Sequence, residues 1–271
     1  MERGYGDKIL CHLIFIFSII NMNKDRKHNN DPYKVKCFKT DKDDDEKVPR
    51  SCEIGIFPPK LERFHTLVIG RSGSGKTNVV LHMLTEPNLL GGVFEPKNIF
   101  LICAVKPDPS FVKEIKIPKR NVITDFDDDK ILKMFKSLED TIKMKGWRNS
   151  PRTLWIFDDI LSRKKFLRGK ALAQISSAGR HAKLSYIAIS QYYKALPPIL
   201  RTNASYIIYF SANESENLKF AEEMCPSFMS KKEFLEIIEY CTKERYSFLA
   251  LNTLADKGKE CRKGFNDIVS F

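Results

Sequence analysis

The stretch HTLVIGRSGSGKTNVVLHMLT, residues 65–85, decides the fold of this chain. It joins a short apolar run, HTLVI, to a helical pattern, NVVLHMLT, through the loop GRSGSGKT at 70–77. The loop fits the pattern G-x-x-x-x-G-K-[ST] at every position, and it stands between a strand and a helix, where its mechanism requires it. This order of elements predicts a P-loop, the backbone structure that cradles the phosphates of a nucleotide.

The residue types in this loop have chemical reasons. Its glycines allow backbone conformations closed to other residues, so that successive N–H groups can point at a β-phosphate. Lys76 is expected to reach the β- and γ-phosphate oxygens, and Thr77 to offer its hydroxyl to Mg²⁺. The residues predicted to bind the nucleotide, ATP, are Gly70, Arg71, Ser72, Gly73, Ser74, Gly75, Lys76 and Thr77.

Short apolar runs alternate with amphipathic stretches on either side of the loop. The predicted strands are 65–70, 98–105, 120–126, 153–159, 184–190, 204–210 and 246–251, and the predicted helices are 76–84, 129–145, 169–180, 214–224 and 231–241. Because the strand runs are continuous and rich in Ile, Val, Leu and aromatics, they indicate strands covered on both faces. The alternation predicts one α/β domain with a mainly parallel sheet and helices on both faces. We expect strand 98–105 or 120–126 to separate the P-loop strand from strand 153–159.

An acidic pair follows the apolar run of TLWIFDD at 153–159. Asp158 is expected at the carboxyl end of a buried strand, where it can hold the Mg²⁺ water shell opposite Thr77. Asp159 comes next and is predicted to polarise an attacking water. An Asp pair after a strand is often only a cap or a turn, but the P-loop upstream favours the metal site. A second acid beside the metal acid is typical of water-activating P-loop ATPases rather than nucleoside kinases.

Three further polar residues are candidates for the site. Gln191 ends the run LSYIAISQ and would lie beside the γ-phosphate, where it could sense hydrolysis or orient water. Arg180, in SSAGRHAK, is expected on a loop near the active edge of the sheet, where a guanidinium could stabilise phosphoryl charge in cis or across a subunit boundary. Arg201, in ILRTNAS, is its rival. The simpler alternative for each is a solvated polar residue at the end of an element.

Together these motifs resemble the viral genome-packaging ATPases of the FtsK–HerA superfamily, and among them the poxvirus-type DNA packaging ATPases of large DNA viruses. The P-loop alone is unspecific, but the ordered set of IFDD, GRH and SQ, followed by LPPILRTNASYIIYFS, is much more specific. The resemblance covers residues 60–255. It implies a RecA-like core that assembles as a ring, usually hexameric, and uses ATP hydrolysis to drive double-stranded DNA into preformed capsids.

The resemblance also implies roles and partners. Lys76 and Thr77 would bind nucleotide and metal, Asp158 would be the metal acid, Asp159 the water-activating acid and Gln191 the sensor. Asp159 matches the viral branch, since cellular relatives commonly have Glu there. The implied partners are double-stranded DNA, further copies of the chain, and capsid or membrane-associated virion proteins. The implied location is the host-cell cytoplasm at viral assembly sites, or the virion, and not the secreted fraction.

Composition narrows the class of protein. Forty-two per cent of the residues are hydrophobic, which excludes a disordered chain, and 46 Lys+Arg against 34 Asp+Glu give a net charge of +12. A positive chain attracts polyanions, and the basic stretch SRKKFLRGK at 162–170 is the candidate DNA face, with a solvated helix entry as the alternative. The seven Cys and five His show no C-x-x-C or zinc-knuckle spacing, which indicates a reducing compartment and leaves Mg²⁺ as the expected metal.

Residues 1–51 are predicted to be a polar, disordered extension, and 52–271 the P-loop ATPase domain. The extension contains an apolar run of twelve residues, Ile9 to Ile20, which is shorter than the roughly 20 that span a bilayer. We favour Met22 as the true start, with residues 1–21 untranslated, over a membrane anchor or a signal sequence.

Three functions are compatible with these motifs. A packaging motor is the leading hypothesis, and a HerA-like helicase or DNA pump would share the same site. A non-translocating ATP-binding switch or scaffold is a different class, against which Asp159 and Gln191 argue. A nucleoside kinase is least supported, since no lid-like Arg cluster stands out.

Overall fold

A computed structural model describes residues 64–269 of the chain. The predictions for the 1–51 extension, its apolar run and the start of the domain at residue 52 lie outside the described residues. The strands are β1 (His65–Ile69), β2 (Ile99–Cys103), β3 (Val122–Ile123), β4 (Thr153–Asp158), β5 (Leu184–Ser190), β6 (Tyr206–Phe210), β7 (Phe248–Asn252), β8 (Cys261–Lys263) and β9 (Asp267–Ile268). The α-helices are α1 (Lys76–Thr85), α2 (Pro109–Ile115), α3 (Asp128–Lys145), α4 (Lys164–Leu167), α5 (Lys170–Ala178), α6 (Pro198–Thr202), α7 (Glu214–Met224) and α8 (Lys231–Thr242).

In the part of the chain that the structure describes, nine strands form one sheet in the order β3-β2-β4-β5-β1-β6-β7-β8-β9. The pairs from β3 to β6 are parallel, and β7, β8 and β9 continue the sheet with antiparallel pairs. Every residue of β1, β5 and β6 is buried, as expected for central strands covered on both faces. The predicted α/β class with a mainly parallel sheet is confirmed.

The strand between the P-loop strand and the Asp158 strand differs from our prediction. It is β5, which follows Asp158 in the chain, and not β2 or β3. β4 pairs on one side with β5 and on the other with β2, so that β2 and β3 lie beyond β4. Burial explains why β3 is not central: all seven residues of β5 are buried, whereas β3 is two half-buried residues at the edge of the sheet. β2, with four of its five residues buried, is not distinguished from β5 in this way.

The helices pack against the sheet through their apolar side chains. The face that carries Leu67 and Ile69 packs with buried residues of α3, α5, α7 and α8 in one apolar cluster. The buried side chains of α1 lie outside that cluster, and α1 contacts β1 itself. Aromatic side chains fill the cluster beneath β4 and β5, where Phe157 lies 6.2 Å from Tyr186 and 6.3 Å from Trp155 between ring centres.

Most predicted elements are present within a few residues of their expected bounds. The predicted strand at 120–126 is reduced to β3. The residues just before it, Lys119–Asn121, form a 3₁₀-helix, and the Asn121 side-chain amide donates to the carbonyls of Lys97 and Ile99 at 2.9 Å. The short helices α2, α4 and α6 and the strands β8 and β9 were not predicted, since helices of at most two turns and strands of two or three residues carry too little periodicity to be recognised.

Within residues 64–269, no helix is long and apolar enough to cross a bilayer. In the same range, no group of three or more His, Cys, Asp and Glu is arranged to hold a metal ion. The cysteines in this range, Cys103, Cys225, Cys241 and Cys261, are free. Burial raises the pKa of Cys241 and Cys261 to about 12, so both thiols stay protonated at neutral pH.

Candidate nucleotide-binding site

The glycine-rich loop begins at the carboxyl end of β1 and leads directly into α1. Gly75 is the N-cap of α1 and has a φ of 100°, a left-handed conformation that favours glycine. Gly70 is required for a different reason, because a Cβ there would lie 2.6 Å from Ser74 Oγ and 2.7 Å from Phe210 Cβ. The Gly70 N–H donates to the Ser190 carbonyl at 3.1 Å, which ties the loop to the end of β5.

Aromatic rings support the loop from below. Phe210 ends β6 beside Gly70, and its ring centre lies 5.4 Å from that of Phe248 in β7. Phe248 in turn lies 5.0 Å from Phe265, on which His82 of α1 stacks at 6.0 Å. The helix that follows the loop and the strands beside it are therefore joined through one row of rings, which holds the loop in a fixed position.

Lys76 and the acidic pair form a partly buried cluster of opposite charges. Lys76 Nζ donates to the carbonyl oxygens of Gly70 at 2.7 Å and Arg71 at 2.8 Å. Burial lowers the pKa of Lys76, and the carboxylates of Asp158 and Asp159 oppose this shift. Burial raises the pKa of Asp158, and Asp159 acts in the same direction while Lys76 opposes it. Charges held this close in a partly buried site interact more strongly than they would in water.

A cavity of about 450 Å³ gathers the predicted residues at the carboxyl ends of β1, β4 and β5. Its lining residues are Ser72, Gly73, Gly75, Lys76, Thr77, Asn78, Val105, Asp158, Asp159, Ile189, Ser190, Gln191 and Tyr246. Lys76, Thr77, Asp158, Asp159 and Gln191 thus come from three separate strand ends to one cavity. Their individual chemical roles stay predictions.

Local backbone geometry brings the acids and the glutamine to the cavity. Asp159 has φ 50° and ψ 37°, a left-handed conformation that costs a non-glycine residue about 1–2 kcal/mol. This turn directly after β4 allows Asp158 and Asp159 to line the same cavity. After β5, Ser190 Oγ donates to the Tyr192 carbonyl at 2.8 Å, which makes a tight turn with Gln191 exposed at its tip.

The donor set suits a hard divalent cation. Thr77 contributes a hydroxyl and Asp158 a carboxylate to the same cavity, and oxygen ligands of this kind are those that Mg²⁺ prefers. Mg²⁺ is usually held by one or two protein oxygens together with water and substrate phosphates. Thr77 and Asp158 therefore fit the ion that the P-loop predicts.

Arg180 does not lie where we predicted it. It is exposed in the short 3₁₀-helix Gly179–Ala182, which precedes β5, whereas the cavity lies where β5 ends. Because β1, β4 and β5 are parallel, Arg180 lies at the amino ends of these strands, whereas the cavity lies at their carboxyl ends. Arg180 therefore does not line the cavity. The predicted position near the active edge is wrong, and so is a role in cis; a role across a subunit boundary stays a prediction.

Arg201, the rival of Arg180, is buried and engaged within its own chain. Its guanidinium donates to Glu223 at 2.7 Å and lies 5.2 Å from the ring centre of Tyr193. Glu223 also forms an ion pair with Lys194. These contacts hold α6 against α7, so that the structure assigns Arg201 a packing role.

Sequence reasoning missed Tyr246 as a residue of the cavity. The run YSFLAL predicted a strand that begins at Tyr246, but the strand direction was open. β7 is antiparallel to β6, so the residues before it lie at the same edge as the P-loop. The direction of this one strand is the signal that would have found Tyr246.

A phosphate-binding loop between β1 and α1, with an acidic pair at the end of a second parallel strand, defines a P-loop nucleotide-binding protein of the α/β class. The chain belongs to the family described as Poxvirus A32 protein, whose model matches residues 60–262. The resemblance to poxvirus-type packaging ATPases is thereby confirmed.

Other viral proteins are similar to this chain. "Uncharacterized protein 075L" of Invertebrate iridescent virus 6 is 26% identical over 178 residues, which cover 62% of this chain and 64% of that protein, just under two thirds of its length. B204, the DNA-packaging ATPase from Sulfolobus turreted icosahedral virus, superposes with a TM-score of 0.52 at 19% identity over 71% of this chain and 94% of B204. B204 from Sulfolobus turreted icosahedral virus 2, in complex with AMP, has a TM-score of 0.50 at 18% identity over 71% and 93% of the two chains. At these identities the solved structures show a shared fold.

Proposed function

We propose that this chain is an ATP-driven motor that moves double-stranded viral DNA into preformed capsids and hydrolyses ATP with Mg²⁺. The observation that carries the proposal is the cavity that holds the P-loop, Asp158, Asp159 and Gln191 together, in a member of the Poxvirus A32 protein family. A scaffold that binds ATP without hydrolysing it needs the loop but has no use for a second acid and an amide at the γ-phosphate end.

The residues of the cavity divide the chemistry between them. The loop amides, the amino end of α1 and Lys76 would neutralise the phosphate charge. Mg²⁺, held by Thr77 and Asp158, would supply further positive charge at the β- and γ-phosphate oxygens. Asp159 would accept a proton from the attacking water, and Gln191 would orient that water by hydrogen bonds.

The basic segment, residues 162–170, supports contact with DNA. It begins three residues after Asp159, and Lys164, Lys165, Arg168 and Lys170 in it are exposed. Phe166 is buried and lies 5.0 Å from Phe126 between ring centres, so the segment is anchored while its cations face solvent. Because the segment is close in the chain to Asp158 and Asp159, a change at these acids during hydrolysis would need to pass through only a few residues to reach the cations that contact DNA. Contacts to phosphates would be independent of DNA sequence and weakened by salt.

The assembly is part of the proposal. A homo-oligomeric ring, hexameric as in the resembling ATPases, would let each protomer offer Arg180 to the cavity of its neighbour. We propose capsid or membrane-associated virion proteins as docking partners, and viral assembly sites in the host cytoplasm as the place of action.

The experiment is ATP hydrolysis by purified protein that starts at Met22, with and without long double-stranded DNA, and with Lys76→Ala as the control. We expect stimulation by DNA that falls with salt and is abolished in the variant. Hydrolysis indifferent to DNA would favour the switch or scaffold. Separation of the strands of a duplex during turnover would favour a HerA-like helicase.

A further inference from the structure

One aromatic side chain marks the flank of the cavity opposite the acids. The sheet order β4-β5-β1-β6-β7 puts Asp158 and Asp159 at the end of β4, and Gln191 after β5, on one side of the P-loop. Tyr246 precedes β7 on the other side. The cavity therefore extends from an acidic flank, across the loop, to an aromatic flank.

The chemistry of a nucleoside triphosphate fixes how it would lie in such a cavity. Its γ-phosphate belongs with the acids and Gln191, and its β-phosphate with the loop amides and Lys76. The nucleoside must then leave the loop on the side away from the acids, which is the side of β6 and β7. Among the described residues that line the cavity, Tyr246 alone carries an aromatic ring.

Tyr246 is held at this position by its surroundings. The ring atom Cδ1 lies 3.4 Å from where a Cβ on Gly75 would be, so the ring borders the loop directly. The guanidinium of Arg245 lies 4.7 Å from the ring centre of Tyr246 and backs the ring. A fixed ring loses little freedom when a planar ligand stacks on it, which favours binding.

The backbone and the exposure of Tyr246 also point to a ligand. Its φ of 67°, in the turn before β7, is in the left-handed region, which a bulky residue rarely adopts and which recurs at ligand clamps and active sites. The side chain is nevertheless 44% exposed, so the strained backbone does not serve to bury it in the core. A large aromatic ring held at a cavity wall and left open to solvent suits a planar base.

We propose that Tyr246, backed by Arg245, is the base subsite of the nucleotide cavity and stacks on the adenine ring of ATP. This inference rests on the proposed function, because it assumes that the P-loop binds a nucleoside triphosphate. Stacking depends on ring area rather than on hydrogen-bond pattern. The subsite therefore separates nucleotides from inorganic polyphosphates and discriminates only weakly between adenine and guanine.

The test compares two ligands that share a chain of three phosphates, of which only one carries a nucleoside, and it uses the variants to separate the aromatic contact with the base from the rest of the nucleoside. The affinities of a non-hydrolysable ATP analogue and of inorganic tripolyphosphate, both with Mg²⁺, are measured by titration calorimetry on the chain from Met22. The variants are Tyr246→Leu, which removes the ring, and Tyr246→Phe, which keeps it. Tyr246→Leu should weaken the ATP analogue about tenfold, which is within the range for one base–aromatic stack, and should leave tripolyphosphate unchanged. Tyr246→Phe should bind both ligands as the unaltered protein does.

Three results would overturn the subsite. In one, Tyr246→Leu binds the ATP analogue with unaltered affinity. In another, Tyr246→Leu loses tripolyphosphate as strongly as the ATP analogue, which would mean that Tyr246 only supports the loop at Gly75. If the unaltered protein binds tripolyphosphate and the analogue equally well, no base subsite exists although the P-loop works. Binding of neither ligand by the unaltered protein would instead overturn the proposed function, and this subsite with it.

Discussion

Asp158 and Asp159 are adjacent in sequence, but the surroundings of their carboxylates differ. Asp158 ends a buried strand, and burial raises its pKa. Asp159 follows in a left-handed turn beyond the strand, where its carboxylate lines the same cavity. We therefore expect the same chemical change, from carboxylate to amide, to cause different defects at the two positions.

Asp158→Asn should weaken the Mg²⁺-dependent binding of a non-hydrolysable ATP analogue, because an amide is a poorer ligand for the ion than a carboxylate. Asp159→Asn should bind the analogue normally and lower kcat by about 10²–10⁴-fold, the usual effect of a general base. Titration calorimetry and steady-state hydrolysis measure these effects. Asp159→Glu, which keeps the carboxylate, serves as the control. Unaltered turnover by Asp159→Asn would exclude Asp159 as the base.

Glu223 gives a pH-dependent prediction at the same scale. Burial pushes the pKa of Glu223 up, but the hydrogen bond from Lys194 and the Arg201 guanidinium outweigh it, so the pKa lies below its usual value of 4.5. A carboxyl whose pKa is lowered in the folded state stabilises the fold above the unfolded-state pKa, and this stabilisation is lost as the pH falls through the folded-state pKa.

Glu223→Gln should therefore lower the free energy of unfolding at pH 7 by about 1 kcal/mol, a modest value because the carboxylate is partly exposed. The difference between the variant and the unaltered protein should shrink as the pH falls through the lowered folded-state pKa of Glu223, because the carboxyl is protonated in both states only below that value. Urea unfolding at pH 7 and at acid pH measures it, with the exposed neighbour Glu222→Gln as the control. A loss of stability that is the same at both pH values would argue against the ion pairs.

At the scale of elements, α3 caps α5. The Asp128 carboxylate, in the first turn of α3, accepts hydrogen bonds from the backbone N–H groups of Lys170 at 2.9 Å and Ala171 at 3.0 Å. Gly169, the N-cap of α5, has no side chain to do this, and a Cβ at Gly169 would overlap the Asp128 carboxylate. The end of the basic segment is thus held in place by a residue about forty positions earlier.

Asp128→Ala should destabilise the protein by about 1–2 kcal/mol, as the loss of a helix cap does. Thermal unfolding measures the change. Asp129→Ala is the matched control, because Asp129 lies in the same turn of α3 and is exposed. Equal losses in the two variants would mean that the acidic first turn of α3, rather than the cap of α5, is responsible.

The basic segment itself can be tested by charge. Changing Arg163, Lys164 and Lys165 together to Gln should reduce DNA-stimulated ATP turnover more than basal turnover, because the lost contacts are to DNA phosphates. The control changes Lys231, Lys232 and Lys243 to Gln. These lysines are exposed and lie in and next to α8. Changing them removes the same net charge at a different place on the surface. Equal loss of basal and stimulated turnover would exclude the segment as the DNA face.

At the scale of the whole molecule, the cavity lies at the carboxyl ends of the parallel strands, and Arg180 lies at their amino ends. A cavity completed by this arginine therefore needs a second copy of the chain. Lys76→Ala and Arg180→Ala should each be inactive alone. An equal mixture should regain activity at about a quarter of its interfaces, where an intact P-loop meets an intact Arg180. Measuring hydrolysis in the mixture tests this, and a mixture as inactive as its components would remove Arg180 from the site.

The sequence predicted what depends on local pattern. The apolar runs LVI, LWIF and YIAI are long enough to indicate strands, and these strands were predicted at the correct positions. The loop at 70–77 was also predicted at the correct position, because it needs its residues in a fixed order. Asp158 ends one parallel strand and Gln191 follows another, so both could be expected near the loop because these strands run in the same direction as β1.

What the sequence could not supply was the choice of strand partners and the direction of β7. β2 and β5 are similarly apolar, so no local signal decides which of them pairs with β1, and we chose wrongly. Arg180 precedes its strand and lies far from the loop, while Tyr246 precedes a reversed strand and lies beside it. Two residues that each precede a strand can thus lie at opposite ends of the sheet's strands. Only the direction in which the strand pairs decides at which end each residue lies.

The position of β5 between Gln191 and Arg180 has a consequence for the proposed ring of protomers. Gln191 stands just past one end of β5, the loop is tied to that end through Gly70, and Arg180 stands before the other end. With seven buried residues, β5 spans about 23 Å and cannot bend independently of the sheet. In the proposed ring, β5 would therefore hold Gln191 and Arg180 at a fixed separation, so that the position of Gln191 in one cavity would be coupled to the position of Arg180 at the next.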